Sequence, residues 1–261
     1  MFQTSVITSG SKGNCILVKN NDTHILIDAG ISFKKFSEFM TELQLDPLKI
    51  DAIFISHEHT DHVCGAGVLH RKIKAPIFIT PDTYNCATKK IGKMHFEPHF
   101  FDIGSSLQIG SLIVNPFLSS HDAVDSCNFV IHPFDNDNKQ LTIATDLGFA
   151  HNLLKNYLKQ SSTIILESNH DVDMLMNGPY EWHLKQRILS KLGHLSNIQA
   201  SEIVENIITD SLKRIFLAHL SEINNTPQIA YKQMENTLSY LQAKTDLKLT
   251  SQYQCTPLYE I

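Results

Sequence analysis

The stretch that most limits what this chain can become runs from Ala52 to His62. Ala52-Ile53-Phe54-Ile55-Ser56 is an apolar, β-branched run with the character of a buried strand, and it leads straight into His57-Glu58-His59-Thr60-Asp61-His62. On an extended segment side chains two apart share a face, so His57 and His59 can reach one metal ion from the same side. A tight turn after them can aim Asp61 and His62 at a second ion. Two nitrogen- and oxygen-ligated divalent ions about 3.5–4 Å apart suit hydrolysis of phosphate esters or carbonyls. The alternative is a polar surface loop, but imidazoles are costly to crowd together unless they are ligated.

The same pattern recurs along the chain. Strands are expected at Phe2–Thr8, Cys15–Lys19 and His24–Asp28, separated by turns at 9–14 and 20–22. Hairpin-like strands at the start argue for a mixed sheet. Asp28 ends the third strand before Ala29-Gly30, where it is either a turn residue or, beside the histidines, the carboxylate that orients a ligand imidazole. Phe33, Phe36, Phe39, Met40 and Leu43 recur at helical spacing over 32–44. Further helices are expected at 65–72 and at 82–90 with Asp82 as cap, around a strand at 76–80. The lysines and arginine of 71–93 form a solvated face or, as a minority reading, a phosphate-tracking patch.

Strands at 111–117, 127–132 and 140–145 are followed by Ser119-Ser120-His121-Asp122 and Asp146-Leu147-Gly148. A helix at 150–159 precedes the strand Thr163–Leu166, which delivers Glu167-Ser168-Asn169-His170-Asp171. The 180–191 helix stops before Gly193-His194-Leu195-Ser196, and Asn197 is expected to cap the helix 198–208. Arg214–Ala218 is a strand that ends in His219, a last helix follows Pro227 to about 242, and Lys248–Gln252 reads as the terminal strand. With no repeat or Pro/Ser-rich linker, one domain over 1–261 is the expectation. Polar residues at strand ends therefore add up to His57, His59, Asp61, His62, His121, Asp146 and His219, a set that suits two catalytic ions.

Composition narrows the setting. The five cysteines form no C-x-x-C pair, which argues against a disulfide framework or a cysteine-built zinc site and for a reducing, cytoplasmic compartment. The N-terminus lacks a basic and apolar leader, and no stretch reaches membrane-spanning length. A formal charge of -5 advertises no global basic field for nucleic acid, although a local patch would suffice.

The order and context of these residues resemble the metallo-β-lactamase fold superfamily over nearly the whole chain. That resemblance implies an α/β fold, an αββα sandwich of two mixed sheets flanked by helices. It implies that His57, His59 and His121 hold one ion, that Asp61, His62 and His219 hold the other, that Asp146 bridges them, and that Asp28 supports the ligands. Aspartate at the bridging position and Ala218-His219-Leu220-Ser221 are similar to the phosphodiesterase and nuclease branch. The strings Ser9-Gly10-Ser11-Lys12-Gly13-Asn14, Glu167-Ser168-Asn169-His170-Asp171 and Arg187-Ile188-Leu189-Ser190 resemble the WalJ-type (YycJ-like) exonucleases, which implies 5′-to-3′ degradation of DNA ends in DNA mismatch repair. The short interval between Asp146 and His219 leaves no room for the nucleic-acid-clamping domain of larger relatives, so a strand end or a small substrate fits better than a clamped duplex.

The mechanism expected from this reading has metal-activated hydroxide attacking phosphorus, with Asp61 at the metal, and with His194, tuned by Glu167, as proton donor to the leaving oxygen. Ser11, Lys12 and Asn14 could meet the substrate phosphate in a glycine-rich turn, or form a plain hairpin. His170 is either a substrate contact or bonded within its own loop. Zinc and manganese both suit the donor set. Alternative activities are an endoribonuclease, a cyclic or small-molecule phosphodiesterase, and a thioester or lactone hydrolase. His70, His95, His99, His132 and His183 lack matching context and read as structural or surface residues.

Overall fold

The computed structural model describes residues 1–261. Its first half is built from β1 (Phe2–Thr8), β2 (Cys15–Asn20), β3 (Thr23–Ile27), α1 (Phe33–Glu42), β4 (Ala52–Phe54), α2 (Thr60–Val63), α3 (Ala66–Ile73), β5 (Ile77–Ile79), α4 (Pro81–Ile91) and β6 (His99–Phe100). The second half adds β7 (Leu107–Ile109), β8 (Leu112–Leu118), β9 (Cys127–Pro133), β10 (Leu141–Ala144), α5 (Asn152–Gln160), β11 (Thr163–Glu167), α6 (Val172–Asn177), α7 (Trp182–Leu189), α8 (Asn197–Ile207), β12 (Arg214–Ala218), α9 (Pro227–Tyr240), β13 (Asp246–Leu249) and β14 (Tyr259–Glu260).

These strands form two seven-stranded mixed sheets, ordered β14-β1-β2-β3-β4-β5-β6 and β13-β12-β11-β10-β9-β8-β7. Hairpins make the antiparallel pairs β1–β2 and β2–β3, while β3, β4, β5 and β6 run parallel through helical crossovers. The second sheet repeats the plan, antiparallel from β7 to β10 and parallel from β10 to β13.

Both faces of the central strands are buried, which is why their sequences are continuously apolar rather than alternating. Along β4, Phe54 points between the sheets and stacks on Phe78 (4.8 Å between centroids) and edge-on to Phe129 (5.9 Å). Ile53 and Ile55 point the other way, under Phe36, Met40 and Leu69 of the helical layer. The opposite layer packs α5, α8 and α9 on the second sheet through Leu154, Val204 and Met234. Three apolar layers between helix, sheet, sheet and helix are the expected αββα sandwich. No helix is long and apolar enough to cross a membrane.

Three local expectations need correction. The cap of α4 is Thr80, whose side chain accepts from Thr83 N; Pro81 lacks the N–H that a helix start leaves unpaired, so it takes the first position and pushes Asp82 inside. The cap of α8 is Ser196, in a reciprocal capping box with Gln199, whereas Asn197 is buried and bonded to Ser168 and Asn225. The strand expected at 248–252 lies at Asp246–Leu249 and is not terminal, because β14 returns to pair with β1. Gln252 instead accepts from the Lys12 N–H at 2.7 Å, pinning the turn after β1.

Candidate metal centre

The centre lies at one edge of the sandwich, where the strands deliver polar residues into loops. His57 follows β4, His59 is the residue before α2, and Asp61 and His62 sit in the first turn of α2. The loop is stitched down by its backbone: Asn14 N donates to Asp61 O at 2.7 Å and Ala29 N to His62 O at 2.8 Å. A Cβ on Gly30 would overlap the Asp61 carbonyl oxygen, so only glycine lets β3 approach this closely. His121 follows β8, Asp146 follows β10 and His219 follows β12. Asp28, Asp146 and His219 all have positive φ (61°, 53° and 55°), a region costly for residues with a Cβ.

The expected ligands converge. His59 Nδ1 and His121 Nε2 are 3.2 Å apart, and His57 joins them in one group. Asp61, His62 and His219 form a second group, with His62 Nε2 3.4 Å and His219 Nε2 3.6 Å from Asp61 Oδ2. Asp146 stands between the two, 3.2 Å from His62 Nε2, 3.5 Å from His219 Nε2 and 3.9 Å from His121 Nε2. Donors about 2.1 Å from a tetrahedral ion are about 3.4 Å from one another, so these separations fit a bound metal. Orphaned polar atoms point the same way. His57 Nε2, His219 Nε2 and Asp146 Oδ2 are buried without a hydrogen-bond partner, an arrangement costing about 1–3 kcal/mol per atom unless something ligates them.

Surrounding groups aim the ligands. Asp28 Oδ2 accepts from His62 Nδ1 at 2.8 Å, while Asp28 Oδ1 accepts from Ser56 N (2.8 Å) and Ser56 Oγ (2.9 Å). Ser56 Oγ lies 2.9 Å from His57 Nδ1, so one carboxylate orients two imidazoles. Glu167 is wholly buried yet fully used: Oε1 faces His194 Nδ1 (2.7 Å) and His219 Nδ1 (3.0 Å), and Oε2 accepts from Leu147 N and Leu195 N. Burial opposes its charge, but His194 and His219 together outweigh it and hold the carboxyl at about 2. Burial likewise opposes a charge on Asp146, and His219 and His62 hold it well below the usual carboxylate range. Burial lowers His57 strongly. For His194 burial is overcome by the Glu167 carboxylate, and the net shift is upward.

The remaining sequence-predicted residues divide. Asn14 reaches the centre, its Nδ2 2.9 Å from His62 Nε2 and 3.1 Å from Asp61 Oδ2. Ser11 lines a cleft together with His194 and His219. Lys12 turns outward to Glu222 (2.6 Å) and the Tyr253 hydroxyl (2.9 Å). His170 is buried away from the ligand groups with neither ring nitrogen partnered, and burial pushes it down to about 4. Arg71, counted in the basic tract, caps backbone instead, donating to Ile91 O and Lys93 O. Sequence reasoning missed Ser56, and it missed Asn169, which donates to His219 O at 2.8 Å. It also missed the Asp122–Arg187 ion pair; the quoted strings around His121 and Arg187 contained both residues but no sign that they meet.

Comparison with known proteins agrees with this architecture. The sequence model described as the metallo-beta-lactamase superfamily matches residues 9–125. The exodeoxyribonuclease WalJ of Streptococcus pneumoniae serotype 2 (strain D39) is 36% identical over 267 aligned residues, covering 100% of this chain and 98% of that protein. The chain belongs to the metallo-β-lactamase superfamily, in its WalJ/YycJ group. The exodeoxyribonuclease YycJ of Bacillus anthracis is also 36% identical, over 90% of this chain and 88% of its own length. Among solved structures, the metallo-β-lactamase fold protein YhfI of Bacillus subtilis superposes with a TM-score of 0.75 at 16% identity, covering 98% of this chain and 99% of that one, which speaks for the fold. Membership carries the enzyme class with it: this is a hydrolase of the metallo-β-lactamase type, and its His/Asp groups suit divalent metal.

Proposed function

We propose that this protein is a two-metal exonuclease that removes nucleotides from the 5′ end of DNA, all of 1–261 serving as one catalytic unit. The observation that carries the reading is the Glu167–His194 pair beside the ligand groups. His194 Nδ1 is engaged by Glu167, and no protein hydrogen bond reaches its Nε2, which is left free toward the cleft. A dedicated proton donor serves a poor leaving group such as a sugar alkoxide, which phosphodiester cleavage releases. The full-length likeness to WalJ and YycJ, both named exodeoxyribonucleases, supports DNA as the polymer.

In this assignment His57, His59 and His121 hold one ion, Asp61, His62 and His219 the other, and Asp146 serves both. Zinc and manganese both match the nitrogen and carboxylate donors. Such ions, when bound, acidify water toward neutral pH and draw charge from a phosphate. The chain's own work is positional. Asp28 and Ser56 fix the imidazoles of His62 and His57, and Glu167 fixes His219 and favours the protonated form of His194. His194 then gives its Nε2 proton to the departing oxygen. Ser11 borders the same cleft, where its hydroxyl suits a phosphate oxygen, while the N–H groups of Lys12, Gly13 and Asn14 are engaged by Gln252, Gly10 and Asp61. All five cysteines are free thiols, which supports a reducing cytoplasm as the place of action.

End-labelled DNA duplex, single-stranded DNA, RNA and bis-p-nitrophenyl phosphate, each in Zn²⁺ and in Mn²⁺, test the reading, with Asp61→Ala as control for contaminating nuclease. Mononucleotides released from the 5′ end of DNA by the wild type alone are expected. Cleavage of only the small diester, or of RNA alone, overturns the DNA assignment. Turnover of thioesters with silence on every phosphate ester overturns the phosphodiesterase reading altogether.

A further inference from the structure

Next to the ligand groups a cleft of about 160 Å³ runs from His194 and His219 to α7, with Ser11, Tyr180, Leu184 and Arg187 among its walls. We infer that this cleft seats the terminal nucleotide of the strand being degraded, and that Arg187 receives its 5′-phosphate. The inference rests on the exonuclease reading above and deepens it.

Given attack at a 5′ end, the seat of the terminal nucleotide follows from where the proton donor stands. In the hydrolysis proposed, a water oxygen forms a new bond to phosphorus and the P–O3′ bond breaks, its electron pair going to O3′. The proton from His194 Nε2 goes to that same oxygen. The unit on the His194 side is therefore the nucleoside whose 3′-oxygen leaves, which for attack at a 5′ end is the terminal nucleotide. Phosphorus stays with the next nucleotide, so each round leaves a strand that again begins with a 5′-phosphate. A cation that reads this group would meet it afresh in every cycle.

Arg187 has the required geometry. Its Nε donates to Asp122 Oδ2, and neither terminal guanidinium nitrogen has a protein acceptor, although the side chain is 55% exposed. The carboxylate thus orients the guanidinium from behind and leaves the outer edge of the fork open, the edge that matches two phosphate oxygens. Arg187 is also held in register with the proton donor. His194 N donates to Ile188 O at 2.9 Å, Gly193 N to Ser190 O at 3.0 Å, and Asp122 N to Leu192 O at 3.0 Å. Helix end, histidine loop and Asp122 are stitched into one piece. On α7, Leu184, Arg187 and Ile188 fall at i, i+3 and i+4, so one helix face gives the cleft both an apolar wall and its cation.

The test compares kcat/KM for 5′-phosphorylated and 5′-hydroxyl forms of one oligodeoxynucleotide, using wild type, R187Q and R187K in Mn²⁺. Fluorescence anisotropy of the same strands with metal-free protein supplies a readout independent of turnover. Wild type should favour the phosphorylated end by roughly ten- to hundredfold, the worth of a hydrogen-bonded charge, chiefly through KM. R187Q should treat both ends alike, R187K should recover part of the preference, and Kd should follow the same order. Shortening from the 5′ end with no discrimination by the wild type, or a preference that survives in R187Q, overturns the assignment of Arg187 and leaves the exonuclease reading standing. Release from the 3′ end only, or no release from DNA, overturns that reading and this inference with it.

Discussion

In the proposed assignment, His194 is the residue that should separate the chemistry of this site from its metal affinity. It is held by Glu167, lies 3.9 Å from Asp146 and belongs to neither triad assigned to an ion, although its ring shares a metal-sized group with Asp146, Glu167 and His219. His194→Ala should therefore lower kcat on DNA by about 10²–10⁴, the usual worth of a positioned general acid, while leaving metal content unaltered. Stopped-time nuclease assays paired with elemental analysis of the purified variant check both halves, and a variant that loses metal in proportion to activity would make His194 a ligand. At this scale the sequence was most legible where ligand-type residues end apolar strands, as at His57, His121, Asp146 and His219. It was silent where a bond joins distant residues of common type. Ser56 on Asp28 and Asn169 on His219 are serine and asparagine in loops, and Arg187 meets Asp122 across 65 positions. The left-handed backbone at Asp28, Asp146 and His219 was also invisible, since it is imposed by tertiary structure and costs about 1–3 kcal/mol apiece.

Helix α3 shows how an element away from the centre is tied to the segments that follow it through one buried histidine. His70 is buried near the helix end, its Nδ1 2.8 Å from Ala75 O, and its Nε2 accepts from His95 N at 3.0 Å. Both bonds at once require the neutral ring, and burial lowers the His70 pKa below its ordinary 6.5. The unfolded chain takes up this proton near pH 6.5, while the folded chain resists until a lower pH. His70 thus contributes its full stability above about pH 6.5 and loses it as pH falls from there through the folded value. Urea unfolding of wild type and His70→Gln at pH 7.5 and 5.5 checks this. Other titrating groups cancel in the difference, so the wild-type advantage should shrink at the lower pH, and a constant gap would contradict the account. Elements buried on both faces, such as β3, β10 and β12, were readable from apolar runs alone. The short edge strands β6 and β14 were not, because two residues carry no period and their pairing is settled by the sheet they join.

Across the whole molecule, the donor set spans the two sheets. His57, His59, Asp61 and His62 come from the loop after β4 in the first, and His121, Asp146 and His219 follow β8, β10 and β12 of the second. The last strand adds a further tie between the halves: β14 lies on the first sheet beside β1, and Arg214 of the second stacks over Tyr259 at 4.4 Å and donates to Glu260 O. Metal binding should therefore act as a clamp between sheets rather than as a condition of folding. Phe54, Phe129 and Phe216 pack between the sheets whether or not ions are bound, so metal-free protein should still melt cooperatively. Any ion that binds only the folded form adds RT ln(1 + [L]/Kd), about 4 kcal/mol at a thousandfold excess over Kd. For a chain of this size that raises Tm by roughly 8–16 °C, at about 2–4 °C per kcal/mol. Calorimetry in chelator and in excess Mn²⁺ or Zn²⁺ measures the increment. His121→Ala, which removes a donor from the second sheet, should cut it substantially with the chelated melting point little changed. Equal melting with and without metal would mean that no ion bridges the sheets, and a non-cooperative metal-free melt would mean that the apolar layers do not suffice to hold them together.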